Sequence, residues 1–146
     1  MTKVTDNIWI GNSDDAKHAD LNTEGISAIL NCAHDLQGVR GWGDNVLYGQ
    51  CGLQDGPGNR LSTYHAAVLM LYSMIADGRK VLVHCHMGQS RSVAVAIMYL
   101  HMTQGRGWDY WRKVIRERRE TPEHTPHEAH KAAFNRINWR LLSSVL

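Results

Sequence analysis

A chain of 146 residues, 43% apolar and 21% charged, has the size and composition of one globular domain with its own core, which excludes a disordered or fibrous protein. Its net charge of +2 is too small to argue for nucleic acid or a membrane surface, and no run approaches membrane-spanning length. Three cysteines without framework spacing speak against a disulfide scaffold and for a reducing compartment. With no signal-peptide region in Met1 to Asp6, a monomeric cytoplasmic protein is expected, one domain over 1–146.

In chain order, Ile8, Trp9 and Ile10 before Gly11-Asn12 predict a short strand closed by a turn. Asn12 to Gly25 is polar and predicts a short helix ending at Gly25. Ser27 to Ala33 reads as a buried strand. His34 to Asn45 holds three glycines and reads as a loop, with Trp42 as its anchor. Val46 to Leu53 is the next strand, its alternation spoiled by Gly49 and Gly52, and Gln54 to Asn59 is a glycine- and proline-rich loop. From Ser62 to Asp77, Tyr64, Val68, Leu71, Tyr72 and Ile75 keep helical spacing, with Ser62 as the cap and Gly78 just past the end. Lys80 to His84 is a strand, and the apolar run Val93 to Met102 is long enough for a helix. Gly105 and Gly107 break the chain before a helix marked by Trp108, Trp111 and Ile115 that runs to about Arg119. Thr125-Pro126-His127-Glu128 predicts a capping box opening a last helix, with Ala133, Ile137 and Leu141 as its apolar stripe. Strands alternating with helices predict an α/β domain with a mostly parallel central sheet flanked by helices.

The chemistry concentrates between the strand Lys80 to His84 and the helix that follows. A strand turning sharply into a helix leaves the first amide N–H groups of the helix unpaired. With the positive end of the helix dipole, they form an anion site suited to phosphate. Arg91 adds a planar fork of donors that matches two phosphate oxygens. A thiol at that spot, Cys85, ionises more readily, because helix N-termini and nearby cations lower its pKa. One loop thus combines an anion cradle, a fixed cation and a sulfur nucleophile, as phosphoryl transfer requires. The leaving oxygen also needs a proton donor near the loop. Asp55 is the best candidate, thirty residues before Cys85 on the Gln54–Asn59 loop. Both loops can lie at the carboxyl ends of their strands, where open α/β sheets bind ligands. Asp44 and Asp35 are the substitutes.

His84-Cys85, five residues, then Arg91-Ser92 resembles the cysteine-dependent protein tyrosine phosphatases, and His-Cys-x-x-Gly-x-Ser-Arg-Ser looks most like their dual-specificity branch. Asn7 to Gly11 and Ile26 to Ala33 are similar to that family's entry and first parallel strands. The resemblance implies a dual-specificity phosphatase-like fold. It also implies a protein phosphatase that cleaves phosphotyrosine, and phosphoserine or phosphothreonine, through a cysteinyl-phosphate and without a metal or cofactor. The backbone amides of His86, Met87, Gly88, Gln89, Ser90 and Arg91 would hold the phosphoryl oxygens, with the side chains of His86, Met87 and Gln89 turned outward. Ser92 would hydrogen-bond the sulfur, and His84 would be a buried residue orienting the thiol. The expected partner is a phosphoprotein substrate, with no nucleic acid and no membrane. The alternatives are the same chemistry on a phosphoinositide or RNA 5′-phosphate, a non-catalytic phosphate-binding module, or a sulfurtransferase. The insert His-Met-Gly-Gln-Ser carries no lysine for a polyanion, and Cys85, Arg91 and an acid are all present.

Other clusters have plainer readings. His124, His127 and His130 recur every third residue but read as a solvated helix start rather than a metal site. Arg112, Lys113, Arg116, Arg118 and Arg119 read as a solvated basic face, with Arg119 able to reach an anionic substrate. Trp108, Tyr110 and Trp111 read as packing. Cys32, near the end of a buried strand, is a redox candidate. If its strand neighbours the one before Cys85, the two alpha carbons come within disulfide range. The plainer role for Cys32 is that of a small buried apolar residue. Cys51 is a weaker partner.

Overall fold

The structure is a computed structural model that describes residues 1–18, 24–36 and 45–146. Its strands are β1 (Thr2–Lys3), β2 (Ile8–Gly11), β3 (Ile26–Ala33), β4 (Leu47–Leu53) and β5 (Lys80–His84). Its helices are α1 (Ser13–His18), α2 (Leu61–Ala76), α3 (Arg91–Gln104), α4 (Trp108–Arg118), α5 (Glu128–Arg136) and α6 (Trp139–Ser143). The five strands form one sheet in the order β1-β2-β5-β3-β4. Only β1 on β2 is antiparallel; β2–β5, β5–β3 and β3–β4 are parallel. The expected mostly parallel sheet is therefore present, and β5 lies at its centre.

Alternation along the strands explains the two faces of the sheet. Ile8, Ile10, Ala28, Leu30, Val81 and Val83 point into the larger core under α2, α3, α4 and α5. Trp9, Ile29 and Leu82 point the other way, into a smaller cluster with Ala16 of α1. Strands covered on both sides carry apolar residues on both faces, which is why Ala28 to Leu30 of β3 and Val81 to Val83 of β5 are apolar at every position. Fully burying one such side chain stabilises the fold by roughly 1.5–3 kcal/mol. Gly49, which spoiled the alternation of β4, lies where Met70 and Met74 of α2 press onto the strand, and an added Cβ would collide with the Met70 sulfur and crowd Met74.

Three helix ends differ from expectation. α2 starts at Leu61 with Arg60 in the cap position and no side-chain cap, so Ser62 lies within the first turn. The loop before it is instead closed by Asn59, whose side chain accepts from the Gln54 amide at 2.9 Å and donates to the Gln54 carbonyl at 2.8 Å. Thr125 does not cap the last long helix. Its hydroxyl and its amide both donate to Pro122 O, at 2.7 and 3.0 Å, closing a turn of their own. The helix begins two residues later, capped by the His127 ring, which accepts from the Ala129 amide at 3.0 Å. The expected stripe also breaks, because α5 stops at Arg136 and Asn138 caps a new short helix. That break turns Leu142 inward and leaves Leu141 65% exposed. The expected loop residue Trp42 and the substitute acid Asp44 lie outside the described residues.

Candidate active site

Cys85 follows the last residue of the central strand, and Arg91 is the first residue of α3, so the loop between them stands at the carboxyl end of the sheet. Its shape depends on Gly88, whose φ of +67° is left-handed and costs a residue with a Cβ. A Cβ there would also sit 2.5 Å from Gly11 O. The loop is braced from behind. The Ser13 amide donates to His86 O at 3.0 Å. Arg119 donates through Nε to Gly88 O at 2.7 Å, through a second nitrogen to Met87 O at 3.5 Å, and to Thr2 Oγ1 at 2.9 Å. The guanidinium expected to reach a substrate is thus engaged on the back of the loop, because α4 ends beside it.

Cys85 is buried, and its sulfur lies 3.2 Å from Ser92 Oγ. Burial pushes the thiol pKa up, but hydrogen bonds from Ser92 and from the amides of Gly88 and Ser90 outweigh it and hold it below the usual thiol range. The sulfur therefore occupies the focus of donors aimed at an anion. Arg91 is buried too. It donates from one nitrogen to Asp35 Oδ1 at 2.9 Å and to Leu53 O at 3.1 Å. Asp35 also meets His86 Nε2 at 3.0 Å. The Arg91 hydrogen bond, working against slight burial, holds the Asp35 carboxyl below its ordinary range. Asp35, a substitute acid in sequence, is thus the anchor of Arg91. His86 turns onto it, while Met87 is 66% exposed. His84 is buried beneath the loop with Nδ1 3.4 Å from Cys85 O, and burial lowers its pKa. Its Nε2 has no partner among the described residues.

Asp55 stands on the loop after β4 and reaches the same place from the other side. Ser90 Oγ donates to its Oδ1 at 2.5 Å, and His130 Nε2 lies 2.9 Å from the same oxygen. His130 is fully buried, and its Nδ1 lies 2.7 Å from the Tyr64 hydroxyl. Burial pushes the Asp55 carboxyl up, but the Ser90 and His130 hydrogen bonds, with the charges of His130 and Arg91, bring it below its ordinary range. Asp55, Cys85, Ser90 and Arg91 share a cleft of about 220 Å³ that His124, Thr125 and His127 help to line.

The three histidines expected to share a solvated helix start have separate fates: His124 borders the cleft, His127 caps α5, and His130 is in the interior. His130, read from the sequence as part of a solvated helix start, and Tyr64, read as one of the apolar positions of α2, had no part in the expected site. The available signal was amphipathic spacing: His130 precedes Ala133 and Phe134 by three and four residues, on the buried face of α5. Trp108 and Trp111 are buried as expected, and Tyr110 is partly exposed under Arg106, 4.3 Å from its ring centroid. Cys32 follows Asn31, the partner of His84 in the β3–β5 ladder. It is fully buried, and burial, with Cys85 and Cys51 nearby, pushes its thiol well up. All three cysteines are free.

A thiol among amide donors, an arginine and an aspartate thus meet in one cleft at a strand-to-helix turn, an arrangement suited to an anionic group. The family model of the dual specificity phosphatase catalytic domain matches residues 8–135, and the chain belongs to that family. It is 29% identical over 110 residues to dual specificity protein phosphatase 22-A of Danio rerio, covering 74% of this chain and 51% of that one. It is 27% identical over 141 residues to dual specificity protein phosphatase 15 of Mus musculus, covering 95% and 58%. The chain thus spans between half and three fifths of the length of these relatives. The crystal structure of DUSP15 superposes with a TM-score of 0.84 at 22% identity, over 99% of this chain and 93% of that one. Among the described residues, no helix is long and apolar enough to cross a membrane.

Proposed function

We propose that this chain is a protein phosphatase that hydrolyses phosphotyrosine, and phosphoserine or phosphothreonine, through a cysteinyl-phosphate. The observation that carries the reading is the convergence on one sulfur: Ser92 Oγ at 3.2 Å, loop amides aimed at it, and Asp55 and Arg91 on the same cleft. The Cys85 thiolate attacks phosphorus in line, forming the S–P bond as the ester P–O bond breaks. Asp55, protonated, gives its proton to the leaving oxygen. A bound phosphoryl dianion would raise the Asp55 pKa through like charge and so keep that proton in place. Arg91 and the amides of residues 86–91 stabilise charge on the equatorial oxygens. Asp55, now a carboxylate, takes a proton from water as the water oxygen attacks phosphorus and the S–P bond breaks. Ser92 hydrogen-bonds the departing sulfur, and His84 orients the loop from below. Every group in these steps belongs to this chain, so the reading asks for a phosphoprotein substrate but for no second copy and no cofactor.

A phosphoinositide or RNA 5′-phosphate would use the same steps. The loop disfavours them: its insert holds no lysine, Arg91 is its one arginine, and Arg119 nearby is spent on backbone carbonyls. The test is turnover of an aryl phosphate, phosphopeptides, a phosphoinositide and a triphosphorylated RNA, each set against Cys85→Ser. Turnover of aryl phosphate and phosphopeptides that Cys85→Ser abolishes supports the reading. Undiminished Cys85→Ser turnover overturns it, and turnover of only the lipid or the RNA transfers it to that substrate. The redox role of Cys32 is part of the same proposal. Peroxide would oxidise the Cys85 thiolate to a sulfenic acid, and the Cys32 thiol would then displace its hydroxyl as water to form a disulfide. Reversible inactivation with a Cys32–Cys85 bridge supports this. If no bridge forms, Cys32 is packing.

A further inference from the structure

His130 is a polar ring with no exposure, bonded at both nitrogens, one to Tyr64 of α2 and the other to Asp55 in the cleft. The hydrogens in this network can be assigned from its two ends, because each end is a group that only donates. At one end, Asn59 Oδ1 accepts from the Gln54 amide, which fixes the orientation of the side-chain amide. Its Nδ2 then donates to the Tyr64 oxygen at 3.2 Å. With that oxygen accepting, the Tyr64 proton is free to go to His130 Nδ1 at 2.7 Å. An imidazole that accepts at Nδ1 carries its hydrogen on Nε2, and Nε2 faces Asp55 Oδ1 at 2.9 Å. At the other end, the His127 amide donates to Ser90 Oγ at 2.9 Å, so the Ser90 proton goes to the same Asp55 Oδ1 at 2.5 Å. Two chains of donors thus meet on one carboxyl oxygen.

We propose that His130, set in its tautomer by Tyr64, is a positioning residue for the acid: it holds Asp55 Oδ1 as a fixed acceptor, so that the transferable proton resides on Oδ2. The proposal rests on the reading of Asp55 as the general acid. In the opposite tautomer, Nε2 would accept and draw the Asp55 proton onto Oδ1, into the protein, where no leaving oxygen can take it. The proton given to the leaving group is therefore the one on Oδ2, and His130 keeps its own throughout. Donors on Oδ1 also favour the carboxylate form and strengthen the acid. The groups around this pair are few. Arg91 and Ser90 face Asp55 from the Cys85 loop, Tyr64 and His127 face His130 from α2 and the start of α5, and Cys85 and His124 share the cleft. Ser90 is a second donor to Oδ1, so losing His130 weakens the arrangement without abolishing it.

The test compares rate–pH profiles on a phosphotyrosine peptide and an activated aryl phosphate for the wild type, His130→Phe, His130→Gln, Tyr64→Phe, Asp55→Asn and the double variant Asp55→Asn with His130→Phe. The amide nitrogen of glutamine can supply the donor that phenylalanine lacks. His130→Phe should slow the peptide roughly tenfold, a fraction of what a general acid contributes, and spare the activated ester. It should move the basic limb to higher pH, because the lost donor favoured the carboxylate. His130→Gln should recover most of the rate, Tyr64→Phe should fall between with the same sign, and the effect of His130→Phe should vanish once Asp55 is Asn. Slowing of both substrates alike, an unmoved basic limb, or an effect that persists in Asp55→Asn overturns the proposal and leaves His130 as packing. If Asp55→Asn itself keeps the basic limb and full peptide rates, the acid reading fails and this proposal falls with it. If His130→Phe fails to fold, the Tyr64→Phe profile decides by the same criteria.

Discussion

The two halves of the proposed site, one for the nucleophile and one for the acid, are assembled in opposite ways. The nucleophile half is local: Cys85, the amide loop, Arg91 and Ser92 lie within eight consecutive residues between β5 and α3. The acid half is gathered from distant segments: Asp55 after β4, Tyr64 on α2, Ser90 at the end of the loop and His130 on α5. Backbone geometry sets the first half, through a strand-to-helix turn and one left-handed glycine. The second depends on side chains whose positions are fixed only when four elements pack. The first should therefore fail through loss of charge or backbone strain, and the second through changes in proton position that show up as pH dependence.

The largest effect separating the halves should come from Arg91→Lys. An ammonium cannot replace the planar fork, and a transition-state arginine is worth on the order of 10³-fold or more. Turnover of peptide and activated ester should fall together, since the loss has nothing to do with the leaving group. A loss confined to the peptide would break the distinction between the halves. Circular dichroism must accompany the rates, because the Arg91 side chain also ties Asp35 and Leu53.

Gly88→Ala should come next. The left-handed backbone and the approach to Gly11 O at 2.5 Å should destabilise the fold by about 1–3 kcal/mol and misplace amides worth roughly 10²-fold in turnover. On the acid loop, a Cβ on Gly56 meets nothing within 4 Å, so Gly56→Ala should unfold at the wild-type denaturant midpoint. Equal midpoints for the two variants would show that the cradle tolerates strain after all.

The smallest effect is in pH. The Cys85 thiol and the Asp55 carboxyl are both held below their ordinary ranges, so the bell of kcat/KM against pH should be displaced to the acid side. Its acidic limb reports the thiol ionising and its basic limb the loss of the acid's proton. Ser92→Ala removes a donor from the sulfur and should shift the acidic limb to higher pH without touching the basic one. If both limbs move, the halves are coupled and the comparison must be redrawn.

Much of this was legible in the sequence because it is local. An apolar run, Cys85, a glycine at Gly88 and Arg91-Ser92 before a second apolar run can fold almost only as a strand, a turn and a helix. Strands alternating with helices predicted a mostly parallel sheet, and burial of both its faces made the stretches Ala28 to Leu30 and Val81 to Val83 apolar throughout. The misreadings cluster where local chemistry had a competitor. Thr125 and Glu128 have capping-box spacing, but Pro122 O captures Thr125 and the His127 ring takes the cap. Arg119 looked free because its acceptors, Gly88 O and Met87 O, are some thirty residues away in the chain.

The sequence by itself determined the family, the central strand and helix, and the loop on which a thiol, an arginine and a ring of amides must converge. Those features depend on residues close enough in the chain for backbone geometry alone to bring them together. Tertiary structure put Asp35 on Arg91 and Asp55 on the cleft that Cys85 lines, and it placed His130 against Asp55 although 75 residues separate them. Spacing carries no information at that range. Such a contact exists only because α2, α5 and the loop after β4 pack on one core, and the buried ring must then satisfy both of its nitrogens.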